Sequence, residues 1–108
     1  MKTTFNKGKI IRIRHRIRYY THGKNPVVSS IELQDTYLQT FYYNDNNELI
    51  VEHDADYTKA ALFEHDNDVM EYNEVNYDID DIVKLLENHF KPKKDYYINV
   101  VTYKIIIG

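Results

Sequence analysis

Residues 9–20 read KIIRIRHRIRYY, and the alternation of that stretch decides the fold. Ile11, Ile13, His15, Ile17 and Tyr19 fall on one side of an extended chain, and Arg12, Arg14, Arg16 and Arg18 fall on the other. Successive side chains of an extended backbone point in opposite directions, so a period of two marks a strand with one apolar and one wet face. Such a strand needs neighbours. The HGKNP stretch at 22–26 ends it, since Gly and the pre-proline Asn favour turn geometry. Extended runs follow at 27–34 and 37–43. The second of these and residues 48–53 flank Asn44-Asp45-Asn46-Asn47, which reads as a β-hairpin turn.

Helical spacing enters later in the chain. Ile79, Ile82, Val83, Leu86 and Phe90 repeat with a helical period, Asp78, Asp80 and Asp81 crowd the positive end of the dipole, and Lys91-Pro92 marks the end. This predicts the main helix near 78–90. A short helix is expected at 58–64, with Asp56 as its cap. Residues 96–107, YYINVVTYKIII, are apolar on both sides and predict a central strand. The expected fold is α+β: one domain over residues 1–108, an antiparallel sheet of about five strands, and helical cover on one face.

Charge is segregated along the chain. Residues 1–31 hold four Lys, four Arg and no carboxylate, whereas residues 32–83 hold fifteen Asp and Glu against Lys59 alone. Fields of this kind select the sign of a partner without defining a reaction. The absence of cysteine excludes disulfides, thiolate metal sites and cysteine nucleophiles. No segment approaches the roughly 20 apolar residues that span a bilayer, so a cytoplasmic protein with no membrane partner is expected.

Catalytic patterns are missing from the sequence. Ser29 and Ser30 lie in VVSSIE without a nucleophile elbow, and Gly8, Gly23 and Gly108 form no phosphate-cradling loop. Asp54-Ala55-Asp56 begins like a calcium loop, but Lys59 and His65 stand where glycine and glutamate are needed. His15, His22, His53, His65 and His89 show no zinc spacing; His15, on the apolar strand face, reads as a core or interface residue. His53 or His65 beside carboxylates would need the fold to build an acidic cleft around it. No enzyme, metal or cofactor is expected. A twelve-residue echo, E-H-D-x-D at 52–56 and again at 64–68, is too short to define a repeat.

Two surfaces remain. Residues 64–81 carry eight acids and no Lys or Arg, with Tyr72 and Tyr77 interleaved, and this density suits a face that imitates nucleic-acid charge. The expected contact residues are Glu64, Asp66, Asp68, Glu71, Tyr72, Glu74, Tyr77 and Asp78, and the expected partner is a basic nucleic-acid-binding protein. The bland alternative is a solvated surface. The other surface is the row Arg12, Arg14, Arg16 and Arg18, with Tyr20 beside it, whose spacing of about 6.6 to 6.8 Å suits successive phosphates of DNA or RNA. Against this, Glu32, Glu48 and Glu52 could consume the row as ion pairs. Self-assembly is a third expectation, either of basic face on acidic face or as a two-fold homodimer through a sheet edge. In size, in lacking catalytic motifs and in its acidic, Tyr- and Asn-rich character, the chain resembles small virus-encoded inhibitors such as anti-CRISPR proteins, with which it shares no motif. The resemblance implies an inhibitor acting in a host cytoplasm.

Overall fold

Among the described residues, six strands and one α-helix follow the order β1 (Thr4–Tyr20), β2 (Val28–Tyr43), β3 (Leu49–Asp54), β4 (Val69–Tyr72), β5 (Val75–Asp78), α1 (Ile79–Phe90) and β6 (Tyr96–Ile107). The computed structural model describes residues 4–65, 67–91 and 95–107, with side chains described for 8–65, 67–91 and 95–102. Four strands make one antiparallel sheet in the order β3-β2-β1-β6, and β4 and β5 form a separate two-stranded ribbon. The class is α+β, as the sequence implies.

β2 is continuous where the sequence suggests two runs. The register sets Asp35 opposite Arg14, and an ion pair across the strands accommodates the acid that would otherwise interrupt the sheet. Further along, a register shift against β3 between Leu38 and Thr40 inserts one residue into β2. Such a bulge reverses which face the following side chains occupy, and so Leu38 and Phe41, three residues apart, both reach the buried side.

The expected helix at 58–64 is absent. A single 3₁₀ turn, Tyr57–Lys59, follows its Asp56 cap, and the chain then runs extended into a split between β1 and β2. β1 and β2 pair from Arg12 and Tyr37 towards the hairpin loop, and below that point the strands diverge. The wedge fills the gap. The Ala61 amide donates to the Leu38 carbonyl at 2.8 Å, while Phe63 exchanges both backbone hydrogen bonds with Lys9 at 2.8 Å. Two strand edges with unpaired backbone groups offer this segment more than a short helix would, since buried N–H and C=O groups must find partners.

α1 closes the core. Asp78 accepts a hydrogen bond from the Asp81 amide while the Asp81 carboxylate accepts from the Asp78 amide, a reciprocal capping box. Ile82, Leu86 and Phe90, four residues apart, bury one stripe against Ile11 and Ile13 of β1, Leu38 and Phe41 of β2, and Phe63 of the wedge. The β4–β5 ribbon turns at Asn73-Glu74, whose φ angles of 55° and 67° are those of the tight hairpin turn normally built from Asn-Gly. This ribbon is the one element the sequence reading leaves out. The expected placement of residues 96–107 at the centre of the sheet is also corrected, because β6 pairs with β1 alone and forms an edge.

The sheet extends into an arm. β6 pairs with β1 no further than His15, and β3 pairs with β2 no further than Tyr37, so residues 16–20 and 28–33 continue as a bare ribbon. The molecule measures 58 × 42 × 21 Å and has a radius of gyration of 17.0 Å. A compact chain near 100 residues has about 13 Å, and the projecting ribbon accounts for the excess.

Candidate functional site

The arginine row lies largely within its own ion pairs. Arg14 grips Asp35 through Nε and Nη2 at 2.8 and 3.0 Å, and these hydrogen bonds hold the Asp35 carboxyl below the ordinary carboxylate range. Arg16 and Arg18 both reach Oδ1 of Asp95, at 3.4 and 3.0 Å. Asp95 has a φ of 71°, and its carbonyl accepts the Arg16 amide at 2.8 Å, so one residue clasps the base of the arm. The Arg16 guanidinium also lies over Tyr97, 5.5 Å from the ring centroid. Arg12 sits opposite Tyr37 and Asn99, with its Nε buried and unpaired.

The partners are therefore Asp35 and Asp95 rather than the expected Glu32, Glu48 and Glu52. Glu32 sits opposite Ile17 on the other side of the sheet, where it accepts the Tyr19 hydroxyl at 2.8 Å and pushes Tyr19 above the usual tyrosine range. Glu48 precedes β3 and Glu52 lies opposite Thr40. The large apolar side chains that the arm leaves exposed are Tyr19, Tyr20, Val27, Val28, Ile31 and Leu33. Ile31 and Leu33 sit opposite Arg18 and Arg16 and share their face.

Several of the acidic-segment residues have structural tasks. The Tyr72 hydroxyl donates to the Tyr43 carbonyl and accepts from the Tyr43 amide, both at 3.1 Å, which ties the β4–β5 ribbon to β2. Tyr77 meets Phe41 edge to face with ring centroids 5.1 Å apart. Asp78 caps α1. Asp68 accepts the amides of Glu64 and His65 at 2.8 and 3.0 Å, and these bonds lower its pKa. Asp66 lies outside the described residues. Glu64, Glu71 and Glu74 are exposed.

Other carboxylates are exposed as well. Glu48 and Glu52 lie on the β3 side and Asp80 lies in the first turn of α1, which follows directly from β5; all three are exposed. Among the described residues, Glu48, Glu52, Glu71, Glu74 and Asp80 form no ion pair. Leu49 and Val51 of β3 pack on the core side, so Glu52 between Val51 and His53 points to the opposite face of the sheet from α1 and the ribbon.

The histidines are dispersed. His15 stacks on Tyr96 at 4.3 Å and 5°, and Tyr96 stacks on Phe90 at 5.0 Å and 18°. His53 Nδ1 lies 2.8 Å from Thr36 Oγ1, and exposed His65 contacts Asp68 at 3.4 Å. Among the described residues, no three His, Asp or Glu side chains converge as a metal site, and no helix is long and apolar enough to cross a membrane. An open cleft of about 450 Å³ lies between the last turns of α1 and β6, lined in part by Glu87, Phe90, Lys91, Asp95, Tyr96 and Ile98. No protein-family model, curated protein or solved structure matches the chain.

The carboxylate environments set an acid limit on stability. Asp35, Asp56 and Asp68 are all held below their ordinary pKa by hydrogen bonds, from the Arg14 side chain, the Thr58 side chain and the His65 amide respectively. A depressed folded-state pKa contributes stability that is complete above the unfolded value, about 3.9 for Asp, and is lost as pH falls through the folded value. Urea midpoints should thus be level above about pH 5 and fall steadily below it, as carboxylates held in the folded state become protonated. Arg14→Gln should flatten the Asp35 share of that fall. An unchanged profile in that variant would show that the pair does not set the acid limit.

Proposed function

We propose that this is a non-enzymatic binding protein whose acidic side, spanning the β4–β5 ribbon and the start of α1, occupies the basic groove of a nucleic-acid-handling protein and excludes nucleic acid from it. The observation that carries this reading is the unequal fate of the two charge blocks. Arg14, Arg16 and Arg18 are drawn into contacts with Asp35 and Asp95, whereas Glu71, Glu74 and Asp80 remain exposed and unpaired among the described residues. Uncompensated like charges raise the energy of the folded chain, and a cationic partner relieves that repulsion while accelerating encounter. Tyr72, Tyr77, Asp68 and Asp78 then act as the framework that presents the acids, and Glu64, Glu71 and Glu74 act as contacts.

The test uses the heparin-binding fraction of a cell extract, which is enriched in basic grooves, passed over immobilised protein. Retained proteins should be displaced by duplex DNA and by raising salt from about 50 to 200 mM, conditions that weaken groove electrostatics strongly. The Glu71→Lys, Glu74→Lys variant should retain none of them while keeping its circular dichroism spectrum. Retention unaffected by charge reversal would overturn the proposal. So would direct, salt-sensitive binding of labelled DNA or RNA to the protein, because that outcome assigns function to Arg16, Arg18, Lys24 and Tyr20 on the arm.

A further inference from the structure

We infer that β6 is the pairing edge of a two-fold homodimer, in which two copies join antiparallel to make one eight-stranded sheet. The argument begins with a contradiction between pattern and position. Residues 96–102 read YYINVVT, without charge and apolar on both sides, which is the composition of a strand flanked by neighbours. In one copy β6 has a neighbour only at β1, and among the described residues no backbone group hydrogen-bonds to its outer edge. A second copy of the strand would supply the missing neighbour.

The other open edges of the sheet are protected and β6 is not. β3 is six residues long and carries Glu52, His53 and Asp54. On the arm, the open edge of β1 carries Arg16 and Arg18, and that of β2 carries Glu32 and Asp35. Short length and charge are the ordinary devices that stop strands from adding to a sheet. β6 runs for twelve residues with Lys104 as its one charge, and its pairing with β1 shows no register shift. Tyr97 and Val100 are 43% and 41% exposed there.

Charge selects a second copy as the occupant. The ribbon that carries Glu71 and Glu74 is tied by Tyr72 to Tyr43 of β2, on the side of β1 away from β6. With strands about 4.8 Å apart, joining two copies at β6 places the two β3 strands roughly 34 Å apart, several Debye lengths at physiological salt. The acidic sides thus stay outermost, and the arms point in opposite directions. This association is independent of what the acidic side binds.

Sedimentation velocity and light scattering should give twice the 13.0 kDa mass of one chain at micromolar concentration, in low and in high salt. The Val100→Lys, Thr102→Lys variant should sediment as a monomer, as should Val100→Glu, Thr102→Glu, and an equimolar mixture of the two should recover the dimer. Because the chain has no cysteine, single cysteines at positions 97–102 report the contact directly. Disulfide yield should peak at one of them and fall on both sides, since only residues near a two-fold axis meet their own copies, while Ser29→Cys on the arm should stay reduced. A monomeric wild-type chain, a dimer indifferent to the charged variants, or a crosslinking maximum on the arm would each overturn the inference.

Discussion

Leu86→Ala should lower the unfolding free energy by about 2 to 5 kcal/mol, the range for truncating a fully buried leucine whose cavity cannot collapse. Leu86 has no exposed surface and stands mid-way along the one helical stripe, between Ile82 and Phe90. The opposite wall is built from two strands and the wedge, each fixed by backbone hydrogen bonds, so little can move in to fill the space. Since a domain of this size has only about 5 to 15 kcal/mol in hand, the variant should sit close to unfolding at ordinary temperature. Equilibrium urea denaturation measures it. A loss under 1 kcal/mol would mean that α1 is not anchored in the way described.

Gly8→Ala should cost about 1 to 3 kcal/mol, although it adds one carbon to a strand. A Cβ at residue 8 would overlap Cδ1 of Leu62, approach its Cγ to 2.9 Å and lie 3.2 Å from the Phe63 carbonyl. Those atoms belong to the segment threaded between β1 and β2, where Phe63 is hydrogen-bonded to Lys9 and cannot retreat without losing the bridge. The close approach of two backbones is the reason for glycine here. In a double-mutant cycle, Leu62→Ala should relieve part of the cost, leaving the share due to the Phe63 carbonyl. Additive effects would show that Gly8 is indifferent to Leu62.

How much of this was legible in the sequence depended on whether the governing contact was local. β1 and α1 could be read because each carries its own period over several turns or pleats. The wedge could not be read: TKAALFE has reasonable helix-forming residues, and only the split between two distant strands draws it into extended pairing. β4 and β5 are four residues each, with Asn-Glu in place of Asn-Gly, below the length at which alternation is distinctive. At the surface, the presence of an arginine row was plain. Its partners depended on register, which sets Asp35 against Arg14 and turns Glu32 to the opposite face. Asp95 reaches Arg16 and Arg18 from near the far end of the chain, and nothing in residues 9–20 announces it.

The pairing of Thr4 with Ile107 brings the two ends of the described chain side by side. During synthesis, β1 emerges first and finds β2 within a few residues, but its other edge stays open until β6 has left the ribosome. Contacts so distant in sequence form late, since the loop they close must be ordered before they return any stability. A nascent chain halted before residue 96 would display the flank of β1 and the uncovered rim of Ile11 and Ile13 together. Folding of this domain therefore completes when β6 adds to β1, and a chain stopped before β6 keeps a sticky flank rather than forming a smaller native fold.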